Sequence, residues 1–209
     1  MYIPSYTREE DREVLFEFVD TYPFATLVTT TSSEPIVSHL PLLLNRESTE
    51  PRLSGHVARA NPHAEALGQG LPTLAIFHGP HAYISPAWYS QHPSVPTWNY
   101  AVVHVSGRPR VLDSDATYPI LRRLVEKFEA TRKDRWDARL PKEFVKEELG
   151  FIVGFELTID TLVGKFKLNQ SKPEADQMGT VTGLENEGDA ASRELATFTR
   201  RYFERRGSG

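Results

Sequence analysis

The sequence predicts one α+β domain, mainly β, in which strands form a closed or split antiparallel barrel with helices appended. Three observations carry this prediction. Strand-like runs recur along the chain, and the helical runs are too few to alternate with them one for one, which disfavours a doubly wound parallel sheet. There is no internal repeat and no linker rich in glycine and serine. The 209 residues are 39% hydrophobic and 25% charged, an ordinary globular composition, and a chain of this size buries roughly 70% of its unfolded surface if it folds as one unit.

Thr7 to Tyr22 has helical spacing at Leu15, Phe18, Val19 and Tyr22. Thr7 with Glu10 matches a capping box, and Pro23 ends the run. Phe24–Thr30 and Ile36–Leu44 read as strands joined by the turn Ser32-Ser33-Glu34-Pro35, hence a hairpin. Asn45 to Arg52 reads as an exposed loop, and Leu53–Val57 as a third strand. Asn61 caps a short helix through Leu67, with Pro62 at its first position. Leu74–Phe77, Ala82–Ser85 and Tyr100–Val105 read as strands, with Arg108–Leu112 continuing past a bulge at Gly107. Asp113–Arg132 is a helix with Ile120, Leu121, Leu124, Val125 and Phe128 on one face. Pro141–Leu149 reads as a short helix, Phe151–Asp160 as a strand extending toward Leu168, and Gly188–Arg206 as a closing helix. The expected division is 1–184 for the barrel and 185–209 for the C-terminal helix and tail.

Composition excludes several classes. With no cysteine there is no disulfide, thiolate metal site or cysteine nucleophile. Met1-Tyr2-Ile3-Pro4 lacks the basic and apolar regions of a signal peptide, and no apolar run reaches membrane-spanning length, so a cytoplasmic protein without membrane contact is expected. The net charge of −4 confines any contact with DNA to a local patch. No Walker loop, Gly-x-Gly-x-x-Gly or Gly-x-Ser-x-Gly string occurs. His78-Gly79-Pro80-His81 has no carboxylate at ligand spacing, and its Gly-Pro reads as a turn, so no metal site is expected.

Three clusters carry candidate chemistry. Ala66 to Gly107 contains no charged residue but holds four of the seven histidines together with Trp88 and Trp98. A rigid aromatic stretch with neutral polar groups suits a planar ligand or a subunit interface, and equally a buried central sheet. Gly55 to His63 passes from strand to helix N-terminus, where free N–H groups and Arg59 favour a phosphate; a capped helix with a solvated Arg59 is the other reading. Lys165 to Pro173 places Lys165 and Lys167 on one strand face against Phe166 and Leu168, which also describes a charged edge strand. The closing helix carries Arg193, Arg200, Arg201, Arg205 and Arg206, a phosphate-binding or a solvated face.

Taken together, Met1-Tyr2-Ile3-Pro4, His39-Leu40-Pro41, Gly55-His56-Val57-Ala58-Arg59-Ala60-Asn61-Pro62, Gly79-Pro80-His81-Ala82-Tyr83-Ile84-Ser85-Pro86, Val95-Pro96-Thr97-Trp98-Asn99-Tyr100 and Lys167-Leu168 to Pro173 resemble the PaiB family. The resemblance runs from Met1 to about Leu184. These are FMN-binding negative transcriptional regulators, similar in fold to the pyridoxamine phosphate oxidases with their split β-barrels. The resemblance implies a homodimer with FMN at the subunit interface and repression at promoter DNA, reached directly or through a partner. By matching strings, it implies Arg59, Asn61 and Lys172 near the FMN phosphate. It implies Thr97, Trp98 and Asn99 along the isoalloxazine or ribityl chain, with His56 and His81 as supporting polar groups and no catalytic residue. The chain departs from the pattern at Tyr6-Thr7, at Asn169-Gln170-Ser171 where the family usually reads Ser-Gln-Asn, and at Gln177, where an arginine is expected. Two other readings stand beside it. One is an FMN-dependent oxidoreductase of a small substrate. The other is a haem-binding split barrel with His56, His63 or His81 as iron ligand.

Overall fold

Ten strands and six helices succeed one another in the computed structural model, which describes residues 1–46, 50–136 and 139–207. Residues 47–49 of the expected Asn45–Arg52 loop, and 208–209 of the expected tail, lie outside the described residues. The chain forms two units, each from separated stretches. Met1–Leu15, His78–Val103 and Val163–Gly209 make the first, and Phe16–Phe77 and His104–Leu162 the second. The expected boundary after Leu184 therefore falls inside a helix of the first unit.

A short 3-10 turn, Ser5–Thr7, leads into strand β1, Arg8–Glu9, and helix α1, Arg12–Thr21. The helix starts later than its spacing predicts, and the expected Thr7–Glu10 capping box does not form. Arg8 and Glu9 instead pair with Lys165 and Gly164, and extended backbone cannot also be helical. Thr7 Oγ1 donates to the Pro4 carbonyl. Asp11 is the cap: its Oδ1 accepts from Glu13 and Val14 N–H at 2.9 and 3.3 Å.

In the second unit, β2 (Phe24–Thr30) and β3 (Pro35–Pro41) form the expected hairpin, with Thr26 opposite His39. On its other edge β2 pairs with Thr73–Phe77, the first part of β6 (Thr73–Ile84). A second sheet has the order β4-β5-β9-β8, from Leu43–Asn45, Arg52–Ala58, Ile152–Thr158 and Pro109–Val111. Helix α2 (His63–Gly68) comes directly after β5. Helix α3 (Ser114–Glu129) is capped by Asp113, whose carboxylate accepts the Ala116 N–H. Its Ile120 and Leu124 pack with Leu43 as the apolar stripe predicts. Helix α4 (Lys142–Leu149) precedes β9.

In the first unit the order is β1-β10-β7-β6, with β7 at Thr97–Gly107 and β10 at Thr161–Lys167. Two predicted strands, Leu74–Phe77 and Ala82–Ser85, are one continuous β6, so the turn expected at Gly79-Pro80 is absent. Pro80 is tolerated there because the β2 ladder ends at Phe77, leaving no N–H bond on that edge to lose. Helix α5 (Glu174–Asn186), unpredicted, and helix α6 (Ala190–Gly207) pack on one another. Phe166 of β10 meets Phe198 and Tyr202 of α6 edge-on at 5.3 and 5.6 Å. No helix among the described residues is long and apolar enough to cross a membrane.

Candidate functional site

The β5–α2 junction in the second unit holds His56, Arg59 and Asn61. Arg59 lies past the end of β5, where its N–H donates to the Phe151 carbonyl at 2.7 Å. Its guanidinium reaches the neighbouring chain segment: Nε donates to the Gly150 carbonyl at 2.6 Å and one terminal nitrogen to the Ile152 carbonyl at 2.7 Å. Two bonds in a planar fork fix the group while leaving its outer N–H donors facing solvent. Arg59 is thus an exposed, preorganised cation rather than a wandering one. Asn61 is the expected cap, its Oδ1 accepting the His63 N–H at 2.9 Å. His56 sits opposite Gly154 in the β5–β9 ladder. Its Nδ1 is buried without a hydrogen-bond partner, and burial lowers its pKa.

Asn61 also begins a polar chain that the sequence did not reveal. Thr73 Oγ1 donates to the Leu71 carbonyl at 3.0 Å, so it accepts from Thr29 Oγ1 at 2.6 Å. Thr29 then has no proton for His63 Nε2, 2.8 Å away, and that nitrogen must carry one. Nδ1 of a neutral His63 accepts from Ser38 Oγ at 2.9 Å, and Ser38 accepts from Asn61 Nδ2 at 3.1 Å. Every proton in the chain has one assigned direction. Thr29 and Thr73 face each other across the β2–β6 ladder, and Ser38 comes from β3. No local spacing links Asn61 and His63 to Ser38, Thr29 and Thr73, so only the folded sheet brings these five side chains together.

His63 is fully buried, and burial lowers its pKa below 6.5. The unfolded chain therefore takes up a proton below about pH 6.5 that the native chain resists. This stabilising contribution is complete above that pH and is lost as pH falls through the native value. We expect His63→Gln to cost about 1–3 kcal/mol at pH 7.5 and to flatten the loss of stability between pH 7.5 and 5. Thermal unfolding of both proteins across that range checks it. An unchanged acid limb assigns the loss to His56 or to carboxylates.

The first unit holds His81, Thr97, Trp98, Asn99 and Lys172. Trp98 is 49% exposed and Tyr83 50% exposed, with ring centroids 6.4 Å apart in an edge-on arrangement. Trp98 Nε1 donates to His81 Nδ1 at 3.3 Å, and their rings lie 5.9 Å apart. Lys167, absent from the predicted site, donates to Thr97 Oγ1 and to the Trp98 carbonyl. Burial, and secondarily Lys165, lower its pKa. Lys165 lies 5.3 Å from the Tyr100 ring. Strand alternation puts His81 and Tyr83 on one side of β6, and Trp98 and Tyr100 on one side of β7. Asn99, between them in sequence, points the other way: it is fully buried, and neither amide atom has a hydrogen-bond partner.

Lys172 does not join the Trp98 group. Its Nζ lies 4.6 Å from the Tyr89 ring centroid. The variant residues around it are structural. Asn169 adopts φ 65°, the left-handed region asparagine tolerates, and Nδ2 donates to Tyr89 Oη and Thr180 Oγ1, each at 3.0 Å. Gln177 ties the loop down by donating to the Lys172 carbonyl at 2.7 Å. A separate open cleft of about 600 Å³ in this unit is lined by Arg8, Glu9, Tyr202, Arg205 and Arg206, among others, and by none of the predicted residues.

Chemically, the junction offers an anion a fixed guanidinium, and the β6–β7–β10 face offers a planar heterocycle aromatic rings edged by lysine ammonium groups. Among the described residues no group of three His, Asp or Glu side chains is arranged to hold a metal ion. His63, one of three histidines considered as an iron ligand, has both ring nitrogens in hydrogen bonds.

Comparison with known proteins agrees with this chemistry. Residues 1–161 match a family model described as "Putative FMN-binding domain". The chain is 37% identical over 198 residues to the "Protease synthase and sporulation protein PAI 2" of Bacillus subtilis, covering 94% of this chain and 95% of that protein. An uncharacterised protein of Emericella nidulans is 29% identical, with 96% of each chain covered. Among solved structures, an FAD- and haem-binding protein from Mycobacterium smegmatis superposes with a TM-score of 0.60 at 19% identity, over 88% of this chain and 82% of the other. The flavocytochrome Anf3 from Azotobacter vinelandii gives a TM-score of 0.60 at 17% identity, over 85% and 78%. These two likenesses establish a shared fold.

Proposed function

From the premise that this chain belongs to the PaiB family of FMN-binding split-barrel proteins, we propose that it is a homodimeric, flavin-dependent negative regulator of transcription. FMN is the family's cofactor. The observation that carries the reading is the exposed aromatic face of His81, Tyr83 and Trp98 beside Lys167. Large aromatic side chains held in defined contacts at a surface call for a partner from outside the chain. A flat ring system and a second subunit together supply one.

Each unit by itself carries groups that suit a part of FMN on chemical grounds. Arg59 provides a fixed cation with donors left over for a phosphate. Trp98 and Tyr83 provide flat apolar surface, and Thr97 and Lys167 provide polar groups beside it. Asn99 is buried on the other side of β7 and is not one of the groups this face offers. When bound, FMN supplies a redox-active ring whose state the regulator reads. The chain's own residues bind and orient it. For DNA, the exposed Arg193, Arg201, Arg205 and Arg206 of α6 are the candidate phosphate contacts.

The test begins with the absorption spectrum of the purified protein, followed by FMN titration and the mass in solution. We expect a flavin spectrum or saturable binding at one FMN per subunit, and a mass of two chains. Fluorescence anisotropy with a labelled duplex from upstream of its own gene then addresses regulation. Specific binding that weakens steeply with salt is expected. Its absence across promoter fragments removes the regulatory role and leaves a flavoprotein. Rapid flavin reduction by a nicotinamide donor, with reoxidation by a substrate, assigns an enzyme instead.

A further inference from the structure

The three residues Trp88, Tyr89 and Ser90 are each held by a different feature of α5 or the loop before it. Trp88 lies against Gly179 and Gly183, where an added Cβ would come within 2.3 Å of its carbonyl oxygen and 2.2 Å of its ring. Tyr89 is buried under Lys172 and accepts a hydrogen bond from Asn169. Ser90 donates both its N–H and its hydroxyl to Asp176 Oδ1, each at 2.6 Å. Asp176 is fully buried, and its Oδ2 has no partner. The Ser90 hydroxyl, with the Ser90 N–H and the Lys172 charge, holds its pKa below the usual carboxylate value.

The Gln91 N–H also stabilises the Asp176 carboxylate, and beyond it the chain loses this anchorage, for none of residues 92–96 is buried. Ser90 and Gln91 are therefore the last anchored points before β7 begins at Thr97, with Trp98 next to it. A buried carboxylate is costly unless it is well bonded. Here it holds the near end of the segment that leads into the aromatic face.

We propose that Asp176 is a positioning residue for flavin binding: acting through Ser90, it sets the path of residues 91–96 and so the placement of Thr97 and Trp98. The inference rests on the reading that FMN uses the Trp98 face. It assigns a role to α5, which contributes none of the predicted cofactor contacts.

The test compares Asp176→Ala, Asp176→Asn and Ser90→Ala with wild type in two readouts: hydrogen exchange of residues 91–98 in the flavin-free protein, and FMN affinity by fluorescence quenching. Asp176→Ala is expected to speed exchange across this segment and to weaken FMN binding by about 10-fold, less than the full value of the two lost hydrogen bonds because the effect reaches the flavin only through the placement of Thr97 and Trp98. Asp176→Asn keeps an acceptor oxygen for Ser90 and is expected to recover most of both. Ser90→Ala, which keeps the N–H bond, falls between and carries the test if Asp176→Ala does not fold. Faster exchange with unchanged FMN affinity makes Asp176 merely structural and overturns the proposal, as does a folded Asp176→Ala with wild-type exchange. A wild-type protein that takes up no FMN overturns the cofactor reading itself, a result distinct from both.

Discussion

Arg59→Ala is expected to lower FMN affinity by about 100-fold while the fold persists. A guanidinium that contacts phosphate contributes charge-assisted bonds of about 1.5–3 kcal/mol each, and one or two of these account for such a loss. The fold persists because the clamp on the Gly150 and Ile152 carbonyls is exposed, where such bonds contribute little net stability. Arg59→Lys is expected to recover little, since an ammonium cannot hold two carbonyls in a planar fork and still face outward. Quenching of FMN fluorescence measures both variants. Wild-type affinity in Arg59→Ala removes this residue from the phosphate site and returns it to a purely structural clamp.

Gly183→Ala is expected to destabilise the protein by about 3 kcal/mol, near the upper range for overpacking a well-filled interior. The new Cβ would lie 2.2, 2.5 and 2.6 Å from three atoms of the Trp88 indole. Neither party yields easily: the helix backbone is fixed by its own bonds, and Trp88 is succeeded by Tyr89 and Ser90, both anchored. At about 2–4 °C per kcal/mol for a chain of this length, the melting temperature falls by about 10 °C in scanning calorimetry. A loss below about 1 kcal/mol would mean that the indole leaves its groove freely. In that case Trp88 contributes nothing to holding the segment before β7.

Much of the molecule is set by local rules that can be read along the chain. The β2–β3 hairpin comes from β-branched runs around a Ser-Ser-Glu-Pro turn. Asp113 caps α3, Asn61 caps the turn into α2, and the stripe at Ile120 and Leu124 packs inward. The family strings, rigid and specific in order, point to FMN. Helix α5 escaped because its buried positions, Asp176, Thr180, Val181, Gly183 and Leu184, mix polar and small residues, one of which receives an indole, instead of forming an apolar stripe. The supposed capping box at Thr7 failed because β10, far along the chain, claims Arg8 and Glu9.

The sequence by itself determined the class of fold, the family and hence the cofactor, and most of the elements, because capping, periodicity and turn chemistry act over a few residues. Tertiary structure alone decided what each polar side chain has left to offer. The Arg59 fork is half committed to carbonyls 91 and 93 residues away. His63 is closed off by Ser38 and Thr29, whereas Asn99 is buried with nothing to bond. A hydrogen bond forms between groups that folding brings within about 3 Å, and separation along the chain does not reveal which groups those are.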